Sequence, residues 1–312
     1  MKSNLLKRFI CSKGALVLPV VGVILLCWAG RSTAGDFKDA LGRVISLKAR
    51  PQRIVAMAPS LTEILYYLGL GDKVVGVTRF SSYPADAARK PNIGAYINLN
   101  VEKIISLNPD LAIGTMDGNK PKVVKLLEQA GIPVFIVNPR EVDHVIDTIA
   151  ALGELCGVGK RGKELAFQLR ARVKRVFQKT MSLKKPLVFL QINVKPIMTV
   201  NRNTFHHDVL RLAGGENMAR NQPVTYPRIS LEEVIRRKPE VIVISSMKRG
   251  GKFEKVRKSW LKWSVIPAVK SGRVHLVSSD LLDRPSPRIV DGLEAMARII
   301  HPELGWEPAS AK

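Results

Sequence analysis

The chain has 312 residues, with 50 Lys and Arg against 26 Asp and Glu, for a formal charge of +24. Apolar residues make up 46 % and fall in short periodic runs, which excludes a disordered chain and a multi-span membrane protein. Three cysteines in a chain of this length exclude a disulfide-stapled mini-domain.

At the amino end, Lys2, Lys7, Arg8 and Lys13 precede a charge-free run from Ala15 to Gly30, and Ser32-Thr33-Ala34 follows. A basic segment, an apolar segment and small residues at a cleavage site read as a signal peptide, residues 1–34, removed after Ala34. The apolar run contains Pro19 and Gly22 and is short for a bilayer span, which needs about 20 residues. Cys27 follows Leu26 rather than a small residue, so lipidation is not expected. The leader carries five basic residues and no acid, which leaves +19 of the +24 on the remaining 278 residues. Of the cysteines only Cys156 remains, and its place at a helix end suggests a small core residue. Lys and Arg are spread through periodic segments, so a solvated basic surface is expected rather than a nucleic-acid site.

Strands and helices alternate from there on. Arg53–Ala58 reads as a buried strand, Ser60–Leu68 as a helix stopped by Gly69, and Val74–Thr78 as a strand. Asn100 is placed to cap a helix through Leu107, before a strand at Asp110–Gly114. Lys122–Ala130 is a helix, Val134–Val137 a strand and His144–Leu155 a helix. Lys160–Thr180 has no proline, and Leu165, Leu169, Val173 and Val176 recur at helical spacing. It predicts one long rigid connector of about 30 Å. Beyond Pro186 the alternation resumes: strand Leu187–Ile192, helix Phe205–Leu212, helix Leu231–Arg237 and strand Glu240–Ser245. A helix is expected over Trp260–Val269, a strand over Val274–Val277 and a last helix over Arg288–Ile300.

This order predicts an α/β protein: two Rossmann-like lobes with mostly parallel sheets, at 35–157 and 183–312, joined by a long helix at 158–182. An echo supports two lobes of common architecture. Val101-Glu102 through Asn108-Pro109-Asp110-Leu111 is matched, 130 residues on, by Leu231-Glu232 through Lys238-Pro239-Glu240-Val241. Two such lobes leave a cleft, with ligand chemistry expected on loops after the strands.

Catalytic signatures are missing. There is no Walker A sequence, no G-x-G-x-x-G after a strand, no G-x-S-x-G and no H-E-x-x-H. His206 and His207 are adjacent, and helical neighbours point about 100° apart, so no metal site is expected from them. Asp280 and Asp283 share a loop with Arg284, which favours an ion pair over an acid/base pair. An exported chain with a cleft and no catalytic signature points to a binding protein, not an enzyme; an exported enzyme using Asp280 and Asp283 is the alternative from another class.

Particular segments resemble the periplasmic substrate-binding proteins of ABC importers for vitamin B12, siderophores and haem. They are Pro59-Ser-Leu-Thr-Glu63, Ser82-Tyr83-Pro84, Gly94-Ala-Tyr96, Gly214-Gly-Glu216-Asn217, Tyr226-Pro227 and Asp280 through Arg284 to Ser286-Pro-Arg288. Within the group the likeness is strongest to the cobalamin branch. The resemblance implies that ligand is held between two lobes with little closure. It implies cobalamin contacts at Tyr83, Tyr96 and Tyr226, whose rings offer an apolar face and a hydroxyl, with Asp280 and Arg284 on the ligand's polar groups. It also implies docking on a permease through Glu63 and Glu216, by charged contacts that fix orientation. Ser60-x-x-Glu63 is equally a capping box, which gives Glu63 a local role. The expected partners are cobalamin or a related corrinoid and an importer permease, with no resident cofactor, no nucleic acid and a monomeric, periplasmic protein. The cobalamin group often uses tryptophan where this chain has Tyr96, Tyr226 and Thr115-Met116. A ferric siderophore or haem is the alternative ligand, with Arg79, Arg202, Arg228 and Arg284 suited to an anion and Tyr83 or Tyr226 to iron.

Overall fold

The computed structural model describes residues 35–245 and 252–306, so the expected leader lies outside the described residues. A hairpin, β1 (Asp36–Lys38) and β2 (Val44–Ser46), precedes the first lobe. That lobe contains β3 (Ile54–Ala56), α1 (Pro59–Tyr67), β4 (Val74–Val77), a small hairpin of β5 (Gly94–Ala95) and β6 (Asn98–Leu99), and α2 (Val101–Ser106). It continues through β7 (Leu111–Thr115), α3 (Pro121–Gln129), β8 (Val134–Val137) and α4 (Val142–Leu155). The long helix α5 (Gly159–Thr180) leads into β9 (Leu187–Gln191), α6 (Phe205–Leu212), β10 (Glu216–Asn217), α7 (Leu231–Arg237) and β11 (Val241–Ile244). The chain closes with α8 (Lys252–Trp260), α9 (Pro267–Lys270), β12 (Val274–Leu276), α10 (Ser279–Leu282) and α11 (Ile289–Ile300).

Each lobe is one four-stranded parallel sheet, ordered β4-β3-β7-β8 and β10-β9-β11-β12. In order of appearance within its lobe, each reads second, first, third, fourth. The sequence echo has a structural counterpart at the entry to the third strand. Asp110 accepts from the backbone N–H groups of Gln52 and Arg53 at 2.7 and 3.0 Å, while Glu240 accepts from that of Leu187 at 2.9 Å. In both lobes an acid before the third strand thus ties down the start of the first. Two residues earlier, Asn108 and Lys238 are the two described non-glycine residues with positive φ, at 45° and 53°. The chain needs this left-handed step to leave the helix and reach the proline.

The long helix is where the periodicity placed it, and it is not the sole bond between lobes. One buried cluster runs from Ile54 and Leu61 through Ile149 and Leu169 to Val209, Leu293 and Ile300, so α4, α5, α6 and α11 share a core with both sheets. Gly153 and Gly162 let α4 and α5 touch by backbone: a Cβ on Gly153 would meet Gly162 Cα at 3.0 Å. Arg172 on α5 reaches Asp291 and Glu294 on α11 at 2.6 and 2.9 Å. The backbone N–H of Val142 donates to Asp208 of α6 at 2.9 Å.

One element differs from expectation. A single helix over Trp260–Val269 does not form; α8 ends at Trp260 and α9 begins at Pro267. Burying Trp260 and Ile266 on the same core requires an exposed turn between them.

Candidate functional site between the lobes

Loops after the parallel strands of the two lobes face each other, and polar contacts join them on two sides. On the first, Glu63 of α1 is buried, with its side chain 2 % exposed. It accepts from Arg284 Nη1 at 2.6 Å, Ser286 Oγ at 2.6 Å, and Arg288 Nε and Nη2 at 2.9 and 2.5 Å. All three donors belong to the loop between α10 and α11. Arg284 also donates to the Phe80 carbonyl at 3.1 Å and pairs with Asp280 at 3.0 Å. The Arg288 guanidinium lies 4.1 Å from the centre of the Tyr83 ring.

This speaks against the docking role that the resemblance implied for Glu63. A carboxylate enclosed by two guanidinium groups and a hydroxyl is an interlobe anchor, and offering it to another protein would strand two half-buried arginines. The capping box is absent as well: α1 starts after Ala58, has Pro59 in its first turn and shows no side-chain cap. Glu216 begins β10 with its side chain 38 % exposed and an ion pair to Arg220.

On the second side, the Tyr226 hydroxyl donates to Asp117 Oδ2 at 3.1 Å, and Asp117 is held by both Arg140 Nη groups at 2.6 and 2.8 Å. Burial pushes the Tyr226 phenol far above its ordinary pKa, and the neighbouring Asp117 carboxylate pushes the same way. Tyr96 stands on the β5–β6 hairpin with its hydroxyl 3.1 Å from Thr115 Oγ1, and burial raises its pKa too. Its ring covers Gly118, where a Cβ would fall 1.8 Å from the ring's Cζ, so only glycine fits beneath it. Asn119 fixes this wall by donating to the carbonyls of Met57 and Tyr96 while accepting from the N–H of Thr115.

The three tyrosines and Arg284 are thus on loops bordering the interlobe space, while Asp280, expected in a loop, stands in the first turn of α10. Sequence reasoning named Ser286 and Arg288 within the family-like segment without giving them a role, and missed Asp117, Arg140 and Phe80. Phe80 is 51 % exposed on the loop that carries Tyr83. Thr62, Thr78 and Ser81 form a buried hydroxyl chain that locks that loop to α1 at 2.9 and 3.0 Å.

Asp283, weighed as a catalytic carboxylate, is turned inward. It takes His206 Nε2 at 3.2 Å and Ser245 Oγ at 3.1 Å. The carboxylate lies between histidine and serine, so the imidazole does not reach the hydroxyl, and this is no nucleophile–base pair. Among the described residues no group of three or more His, Cys, Asp or Glu is arranged to hold a metal ion.

Comparison with known proteins agrees with this geometry. Residues 54–281 match the family model described as periplasmic binding protein. The vitamin B12-binding protein of Vibrio parahaemolyticus is 31 % identical over 245 residues, covering 78 % of this chain and 86 % of that one. The crystal structure of the periplasmic vitamin B12 binding protein BtuF of Vibrio cholerae aligns with a TM-score of 0.74 at 30 % identity, over 82 % of this chain and 99 % of that one. The periplasmic heme-binding protein RhuT of Roseiflexus sp. aligns with a TM-score of 0.73 at 27 % identity, over 80 % and 98 %. With two parallel-sheet lobes around an interlobe site, and with a family match across most of its length, the chain belongs to the periplasmic binding protein family.

Proposed function

We propose that the protein is an exported, monomeric solute-binding protein that captures cobalamin or a related corrinoid between its lobes and hands it to an ABC importer permease. The observation that carries this reading is the set of three tyrosines on the interlobe loops, beside Asp280 and Arg284. Aromatic faces suit the edge of a large apolar macrocycle, and the charged pair suits its amide arms. The likeness to vitamin B12-binding relatives over more than three quarters of the chain supports the same ligand class.

Haem is the second reading, favoured by the RhuT likeness. Iron would need a tyrosine as phenolate. Burial raises the pKa of Tyr96 and Tyr226, and Asp117 adds to this at Tyr226. Tyr83, whose ring lies under the Arg288 guanidinium, is the iron ligand to test. Absorbance titrations with cyanocobalamin and with haemin separate the two. The corrinoid reading predicts saturable one-to-one binding of cyanocobalamin and no haem charge-transfer band; a haem–tyrosinate spectrum lost in Tyr83→Phe would reverse the assignment.

For docking, Glu216 is proposed in the C-terminal lobe. In the other lobe an exposed acid must replace Glu63. Glu102, exposed in the first turn of α2 directly after the hairpin that carries Tyr96, is the proposed contact.

A further inference from the structure

The exposed turn that replaced the expected helix has an unusual composition. Leu261, Lys262, Trp263, Ser264 and Val265 are five consecutive exposed residues, with Leu261 42 %, Trp263 38 % and Val265 59 % exposed. Apolar side chains in a turn normally fold under it, and here Trp260 and Ile266 on either side do so. The surroundings are cationic. From Lys255 to Ser279 the sequence has six basic residues and no acid. Lys258, Lys262 and Lys270 are exposed, as is Lys238 at the amino end of β11, to which α9 is tied by the bond from Ala268 N to Pro239 O. The nearest acids are engaged: Glu254 with Arg257, and Glu240 with Lys184 and the backbone of Leu187.

An exposed Trp with aliphatic neighbours, in a segment whose exposed lysines Lys258, Lys262 and Lys270 form no ion pair among the described residues, matches the boundary of an anionic bilayer. There the indole prefers the headgroup level, and each lysine gains about 1 kcal/mol from the surface potential. A second copy of this chain would bring like charge to like charge. The chain without its expected leader is at +19, so approach to such a surface is favoured from a distance.

We propose that the α8–α9 turn, centred on Trp263, seats the protein reversibly on an anionic phospholipid surface. The patch lies at the amino ends of β11 and β12, and the interlobe loops follow the carboxyl ends of the same sheet. A protein resting on this turn keeps its cleft open to solvent while it is held at the membrane.

Every residue of the three buried clusters lies at or after Leu47, so the chain from Gly35 is the unit to test. It is mixed with vesicles of 30 % phosphatidylglycerol in phosphatidylcholine, and with pure phosphatidylcholine, then sedimented. Binding to the anionic vesicles alone is expected, with a blue shift of tryptophan emission that Trp263→Phe removes. Lys262→Gln should weaken binding about fivefold, as one lysine's share of the surface attraction. The pair Leu261→Ser and Trp263→Ser, both on exposed positions, should weaken it at least as much with an unchanged melting curve. No binding to anionic vesicles overturns the proposal. So does binding that the Leu261→Ser/Trp263→Ser variant retains in full, since that would be diffuse cationic attraction without a seated turn.

Discussion

At Glu63 three donors from one loop of the opposite lobe converge on a single carboxylate. The acid and its donors are placed by different elements, so the contact forms only when α1 and the α10–α11 loop are both in register. Removing the acid leaves Arg288 partly buried without its counter-charge and Arg284 with Asp280 alone, so Glu63→Ala should cost about 3 kcal/mol. Urea unfolding measures this directly, and a change below about 1 kcal/mol would show the carboxylate to be dispensable for the lobe contact. Glu63→Gln, which keeps the shape and loses the charge, should fall between. Sequence could name Glu63 but not its role. Pro-Ser-Leu-Thr-Glu is compatible with a cap, a docking acid or an anchor, and the deciding partners lie more than 220 residues away at Arg284, Ser286 and Arg288. The tyrosines were named through the family resemblance alone; Tyr83 stands on the loop after β4, Tyr96 on the β5–β6 hairpin and Tyr226 on the loop before α7.

Elements with local causes were legible at close to their observed bounds. Phe205–Leu212 and Leu231–Arg237 were read as they are found, because Thr204 and Ser230 cap them through bonds to His207 N and Glu233 N. The two hairpins, β1–β2 and β5–β6, were not read. Their strands are two or three residues long, too short to show a period, and β1–β2 is held from outside by Ala40 N to Ile136 O and by Arg43 Nη2 to Val134 O. The α8–α9 break was missed because the pattern from Trp260 to Val269 suits a helix until both flanking residues must reach one core. Two histidines give the C-terminal lobe a pH response. Burial lowers the pKa of His207 on α6 and of His275 on β12, and at His275 the Arg273 and Arg257 charges add to it. The unfolded chain then binds more protons below about 6.5, so the stability these groups contribute is present above that value and is lost as the pH falls through it. Thermal melts at pH 7.5 and 5.5 should show a lower midpoint at the acid value, with the difference reduced in a His207→Gln, His275→Gln variant; an unchanged difference would assign the pH response to other groups.

Across the whole molecule, the lobes share one core and are tied at Glu63, at Tyr226–Asp117, at Val142–Asp208 and along α5 with α11. In a molecule fastened at so many points, the proposed ligand binding would proceed by small adjustments of loops, and the proposed delivery would depend on what the outer surface presents. Changing Glu102 and Glu216 together to Ala should leave ligand affinity intact and abolish uptake in cells that depend on this protein. Uptake that continues at the parental rate would remove both acids from the docking surface. The central claim concerns the space between the lobes, and isothermal titration with cyanocobalamin tests it most directly, on the chain from Gly35 and on its Tyr96→Ala and Tyr226→Ala variants. A one-to-one isotherm that each variant weakens by about 1–3 kcal/mol is the predicted result, as for loss of a buried aromatic contact. A folded protein that takes up no cyanocobalamin, or takes it up equally well without either tyrosine, would contradict the account.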